Sequence, residues 1–150
     1  MARIQLALNV SNLDDAVDFY SKLFKSVPAK RRPGYANFAI DDPPLKLVLI
    51  EGGGVPGAIN HLGVEVFSSD EVAAATTHLA SVGLVTDVEA QVTCCYALQD
   101  KVWAHGPDGT QWEVYTVLAD ADVAVTVDDG QCCTSNSDDV VRAGEVASPS

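Results

Sequence analysis

One internal repeat constrains this chain more than any other feature. Gln5-Leu-Ala-Leu-Asn-Val10 is echoed 56 residues later by His61-Leu-Gly-Val-Glu-Val66. In each copy three apolar residues (Leu6, Leu8, Val10; Leu62, Val64, Val66) alternate with polar or small ones. That period belongs to a strand with one apolar face. A helix should follow each strand, because Ser11 with Asp14 and Ser68 with Glu71 have capping-box spacing. The first helix carries an apolar stripe of Leu13, Ala16, Val17, Tyr20, Leu23 and Phe24, and the second one of Val72, Ala75, Leu79 and Val82, ending at Gly83. Strand-like segments come next: Tyr35 to Ile40 and Leu45 to Ile50 in the first copy, then about residues 85–89, Tyr96 to His105 and Gln111 to Val117 in the second. Gly106-Pro107-Asp108-Gly109 is a turn joining the last two. The expectation is an α+β fold of two βαβββ modules, about residues 1–55 and 56–118, with helices on one sheet face and the other face free.

The repeat stops where the composition changes. Every aromatic residue lies at or before Tyr115, and residues 119–150 contain no Leu, Ile or Met. That stretch holds Asp120, Asp122, Asp128, Asp129, Asp138, Asp139 and Glu145 against the single base Arg142. It has too little apolar surface to offset its ordering entropy and reads as a disordered acidic tail. The net charge of -12 disfavours binding to nucleic acid or to an anionic membrane surface. No apolar run approaches the roughly 20 residues that span a bilayer, and the first ten residues lack signal-peptide character. The expected location is the cytoplasm, where cysteines persist as thiols. The oligomeric state is open between monomer and homodimer.

Function should sit on the free face. If Leu6, Leu8 and Val10 and their counterparts pack under the helices, Gln5 and His61 occupy matching places opposite, beside the small residues Ala7 and Gly63. Glu113 lies in Gln-Trp-Glu-Val-Tyr, where an unpaired carboxylate is costly. Gln5, His61 and Glu113 could converge as three oxygen and nitrogen metal ligands with open places opposite, as in facial-triad iron sites. The plainer alternatives are a satisfied core histidine and a solvent-facing glutamate on an edge strand. His78 and His105 have no repeat partner and read as solvated, and Lys30-Arg31-Arg32 as a solvated loop. Gly52-Gly53-Gly54 is followed by no Lys and is no phosphate loop.

Cys94-Cys95 is the second feature. Two thiolates can grip one soft centre. Neighbouring side chains on a strand point to opposite faces, so joint chelation requires residues 93–95 to form a turn or irregular loop. Otherwise one Cys is buried and the other exposed. Cys132-Cys133 in the tail could act as accessory soft-metal thiols.

The stretches RPGYANFAI, PPLKLVLIE, NHLGVEV, TCCYALQDKVW and GPDGTQWEVYTV resemble one branch of the glyoxalase/bleomycin-resistance/extradiol-dioxygenase superfamily, the vicinal oxygen chelate fold. The branch is that of the carbon–arsenic lyases and cadmium-induced proteins, and the resemblance covers residues 1–118. It implies an open, cup-like barrel. It also implies an iron(II)-dependent, dioxygen-using enzyme that degrades trivalent organoarsenicals, methylarsenite and aromatic arsenicals among them, to inorganic arsenite. Its ligands would be Gln5, His61 and Glu113, its arsenic-binding thiols Cys94 and Cys95, with Lys101 near the substrate. The rival is a non-catalytic cadmium- or arsenic-sequestering protein of a metal-resistance operon. Glyoxalase or ring-cleaving chemistry needs no dithiol.

Overall fold

The computed structural model describes residues 2–84, 86–94 and 96–120, without the side chains of Thr86 and Cys94. The repeat folds as β1 (Arg3–Val10), α1 (Leu13–Phe24), β2 (Lys30–Arg32), β3 (Tyr35–Ile40) and β4 (Leu45–Glu51), then β5 (Ile59–Glu65), α2 (Ser69–Ser81), β6 (Thr86–Cys94), β7 (Ala97–His105) and β8 (Gln111–Asp120). All these strands join one sheet, ordered β2-β3-β4-β1-β5-β8-β7-β6 and curled into a half-barrel. Within each module the first strand pairs in parallel with the last, β1 with β4 and β5 with β8. The modules meet where β1 and β5 pair antiparallel, with Gln5 opposite Gly63 and Ala7 opposite His61. Each small residue therefore faces the polar residue of the other copy.

Strand alternation sorts the two faces. On the convex face α1 buries Leu13 and Val17 against Ala36, Phe38, Ile40, Leu47 and Leu49, with Leu6, Leu8 and Val10 packed beside them. Under α2, Val72 meets Val66 and Val102, flanked by Val64 and Val114. Burial of each large aliphatic side chain contributes about 1.5–3 kcal/mol. Leu23 was expected in the α1 stripe but is exposed. At 3.6 residues per turn it falls at the edge of the arc that Leu13, Val17, Tyr20 and Phe24 present to the sheet.

Four local expectations are corrected. The cap of α1 is Asn12, not Ser11: its side chain accepts from Asp15 N at 2.9 Å. Asn caps as well as Ser, and this choice places Leu13 against the sheet. Ser68 caps α2 as expected, accepting from Glu71 N at 3.2 Å, while Glu71 Oε2 accepts from Phe67 N at 3.0 Å. Lys30-Arg31-Arg32 is an edge strand rather than a solvated loop, because it pairs with Tyr35 to Asn37. Its Lys30 reaches across the cup to Tyr96 O at 2.8 Å and Asp120 Oδ1 at 2.7 Å, and Arg31 pairs with Asp14. The domain does not end at residue 118, since Ala119 and Asp120 pair with Leu98 and Ala97 in β8. Thr93 and Cys94 are not irregular but pair with Leu98 and Ala97. The irregularities flank them: a bulge between Glu89 and Val92, with Gln91 at φ 53°, and Tyr96 at φ 61° in the tight hairpin.

Cys95, the Cys94 side chain and residues 121–150, with Cys132 and Cys133, lie outside the described residues. Among the described residues no helix is long and apolar enough to cross a membrane.

Candidate metal centre and cavity

The concave face is where a polar residue becomes expensive, and the sheet places several there. Gln5 comes from β1, His61 from β5 and Glu113 from β8, and all three are at least 96% buried, with exposures of 4%, 3% and 3%. Their tips converge. Gln5 Nε2 donates to Glu113 Oε2 at 2.6 Å and lies 3.1 Å from His61 Nε2, which is 2.9 Å from Glu113 Oε2. Asn60 Oδ1 sits 2.8 Å from His61 Nδ1 and is the natural acceptor for its proton. That tautomer leaves the Nε2 lone pair directed at the Glu113 carboxylate, a contact that is repulsive unless a proton or cation lies between them. Donors about 2.0–2.2 Å from one cation at right angles stand about 3 Å apart, close to the spacing seen here. Turning the Gln5 amide over exchanges Nε2 for Oε1, a neutral oxygen donor. Among the described residues no three His, Cys, Asp or Glu side chains form such a group, so the set owes its third donor to an amide.

Lys101, suggested by sequence to lie near the substrate, is 1% exposed and pairs with Glu113 Oε1 at 2.8 Å. Burial pushes the Glu113 carboxyl up, but Lys101 and His61 together hold it well below the usual carboxylate range. The Lys101 ammonium also lies 5.4 Å from the Trp103 ring and 6.0 Å from that of Tyr115. Trp103 meets the His61 imidazole edge-on at 5.6 Å. Gly63 makes room for the group. A Cβ there would stand 2.9 Å from both Cγ and the backbone O of Glu113, which lies directly beside it in the β5–β8 register.

The two modules differ at one decisive place. Gly63 pairs with Glu113 in the second module, whereas its counterpart Ala7 pairs with Val48 in the first. Val48 thus occupies the place equivalent to Glu113 and offers no donor. The donor set is open on that side, toward a cavity of about 270 Å³ lined by Val48, Tyr35, Asn37, Lys46, Glu65 and Tyr115 among others. His78 is exposed, and His105 pairs with Asp87 at 2.9 Å; neither lines this cavity.

Sequence reasoning passed over a second buried ionic group. Glu65 accepts from Arg3 Nε at 2.5 Å and from Lys46 Nζ at 3.3 Å. Burial lowers the Lys46 pKa, opposed by Glu65. Burial also pushes the Tyr35 phenol up to about 12 and that of Tyr115 well above its ordinary value. The signal was present: Glu65 continues the inward series Gln5-like His61, Gly63, Glu65, and Lys46 interrupts Leu45 and Leu47 at an inward place.

Residues 3–114 match the Glyoxalase/Bleomycin resistance protein/Dioxygenase superfamily. The chain belongs to this superfamily. Among its relatives in the superfamily are the cadmium-induced protein CadI of Mycobacterium tuberculosis and a trivalent organoarsenical cleaving enzyme of Thermomonospora curvata. The first is 62% identical over 122 residues, 81% of this chain and 80% of CadI. The second is 56% identical over 135 residues, 89% of each chain. The superfamily fold is also that of the 2,3-dioxygenase LapB from Pseudomonas sp. KL28. LapB superposes with a TM-score of 0.61 at 20% identity, covering 77% of this chain and 40% of LapB.

Proposed function

We propose that this superfamily member is an iron(II)-dependent carbon–arsenic lyase that uses dioxygen to convert trivalent organoarsenicals to inorganic arsenite. The observation that carries this reading is the convergence of one amide, one imidazole and one carboxylate on a cavity whose lining includes Ala97, the ladder partner of Cys94. Gln5, His61 and Glu113 would hold the metal, a hard and borderline donor set suited to iron(II) with open places remaining. When bound, iron(II) supplies the ability to activate dioxygen.

The chain's own groups do the rest. Lys101 keeps Glu113 charged on the buried concave face of the sheet. Asn60 fixes the His61 tautomer, a support that commonly orients metal-ligating histidines. The thiolates of Cys94 and Cys95 would take the soft As(III), leaving its organic group for the cavity. Tyr96 ties this end of β7 across the cup: its ring lies 5.4 Å from that of Tyr35 and its carbonyl accepts from Lys30. Holding both reactants in one cavity replaces a chance encounter with a local one. For methylarsenite the reaction balances without a reductant: CH3As(OH)2 + O2 gives As(OH)3 + CH2O. The name of the Thermomonospora relative supports the reading.

A second reading is non-catalytic sequestration of cadmium or arsenic by the same thiols; the name of the CadI relative links that protein to cadmium only as its inducer. Oxygen uptake by the iron-loaded protein on adding methylarsenite separates the two. The lyase consumes one dioxygen per arsenite released; a sequestering protein binds methylarsenite and consumes none.

A further inference from the structure

The run Gly52-Gly53-Gly54, which is no phosphate loop, lies behind His61 and away from the cavity. A register shift connects the two. β1 and β5 pair Ala7 with His61 and then Leu8 with Ile59, so Asn60 is the extra residue of a bulge. Adjacent residues on a regular strand point to opposite faces. The bulge instead lets the Asn60 carboxamide meet the ring of its own neighbour, with Oδ1 2.8 Å from His61 Nδ1. An amide in that place can serve the ring either way round. With Oδ1 toward the ring it accepts from Nδ1–H, and Nε2 keeps its lone pair. Turned over, it presents Nδ2 as a donor, the ring proton sits on Nε2, and Nε2–H donates to Glu113 Oε2, 2.9 Å away. The charged acceptor favours that second state, in which a proton occupies the lone pair a metal needs.

The far side of the amide opposes the turn. Asn60 Nδ2 donates to Asn9 Oδ1 at 3.0 Å and to Gly53 O at 3.4 Å. Both partners are acceptors, so a turned amide would set its oxygen against two others. Asn9 is 4% exposed, and its backbone is tied to the connection between β4 and β5: its N–H donates to Ala58 O at 2.9 Å, and its carbonyl accepts from Gly57 N at 2.8 Å. The glycines leave its side chain room. A Cβ on Gly53 would stand 2.9 Å from Asn9 Oδ1 and 2.7 Å from Ile50 Cγ2, and one on Gly54 would stand 2.8 Å from Asn9 Nδ2. We infer that Asn9, seated by Gly53 and Gly54, is a positioning residue for the metal centre: it locks the Asn60 amide and so keeps the His61 Nε2 lone pair available to a metal. This rests on the reading of Gln5, His61 and Glu113 as metal ligands and extends it to a residue that touches none of them.

The test reads the tautomer directly. Long-range 15N–1H spectra of the metal-free full chain, recorded above the pH at which the imidazole shifts stop moving, separate Nδ1–H from Nε2–H, and His61→Ala assigns the signals. The wild type should hold Nδ1–H as its major form. Asn9→Leu, close in shape and without an acceptor, should move the balance toward Nε2–H and weaken iron(II) binding, titrated anaerobically, by about tenfold. If that variant fails to fold, Asn9→Ala is read in its place. Asn60→Asp separates a lock from a loss of packing. Either carboxylate oxygen accepts from Nδ1–H, so in that background Asn9→Leu should no longer shift the tautomer. A major Nε2–H form in the wild type, an unchanged tautomer in the Asn9 variant, or an effect that persists in full beside Asn60→Asp would overturn the lock. The tautomer is read without metal, so it decides the lock even where a wild type that binds no iron(II) removes the triad reading.

Discussion

Gly63→Ala puts the tightest point of the cup under strain. The backbone conformation of Gly63 is open to any residue, so the substitution is judged on space alone. Its Cβ would meet Glu113 O and Cγ at 2.9 Å and Gln5 Nε2 at 3.3 Å. The Cγ could rotate aside, but the carbonyl belongs to the β5–β8 ladder and moves only if the strands separate. Overpacking of this kind costs about 1–3 kcal/mol. At roughly 4 °C per kcal/mol, the melting temperature should fall by about 4–12 °C. Displacing Glu113 from its partners should also weaken iron(II) binding by more than the stability loss explains, because ligand placement tolerates only about 0.5 Å. Differential scanning calorimetry and iron titration of the same preparation measure both. Ala7, at the equivalent place in the first module, is the natural contrast, since it tolerates its methyl group beside Val48. Wild-type melting and iron affinity in Gly63→Ala would refute the argument that this glycine holds the donor group together.

Three other outcomes are expected. His61→Ala and Glu113→Ala should abolish iron(II) binding without unfolding the domain, and Gln5→Ala should weaken it less, an amide oxygen being the poorest donor; full affinity in His61→Ala by calorimetry would dismiss the triad. The Tyr35 phenol, raised from 10.0 to about 12, contributes stability that is complete below pH 10 and lost as pH climbs through 12. That loss is about 2–3 kcal/mol, so urea denaturation of Tyr35→Phe should show a shallower decline over this window, and superposable curves would count against it. Cys94→Ser or Cys95→Ser alone should destroy methylarsenite binding, read by quenching of Trp103 and Trp112 emission, and spare iron affinity. The double variant should be scarcely worse, and a single variant that binds like wild type would remove the dithiol clamp.

What could be read from the sequence was whatever repeats at short range. Alternation in β1 and β5 showed which face Gln5 and His61 share, and the carboxylate amid aromatics marked Glu113 as needing a partner. The partner itself, Lys101, was not read as such: the resemblance put it near the substrate, and its pairing with Glu113 depends on the β7–β8 register. The Glu65, Arg3 and Lys46 group escaped because it is assembled by pairing β1 with both β5 and β4, and no local pattern announces those registers. Asn12 displaced Ser11 as a cap because two good capping residues stood side by side and only the docking of Leu13 chose between them. The ladder through Thr93 and Cys94 was hidden by a bulge, which shifts the irregularity away from the residues whose chemistry drew attention to it.

The unequal pair Val48 and Glu113 carries a consequence for symmetry. A dimer of identical half-length chains with this two-fold plan would present every side chain twice around its axis, so its donors could number two or four, never three. An odd set with one apolar place is forbidden by that symmetry. The differences between Val48 and Glu113 and between Gln5 and His61 are ones that only non-identical halves can carry. Four equivalent places of which three offer donors therefore require two halves of different sequence, the first giving Gln5 and the apolar wall at Val48, the second giving His61 and Glu113.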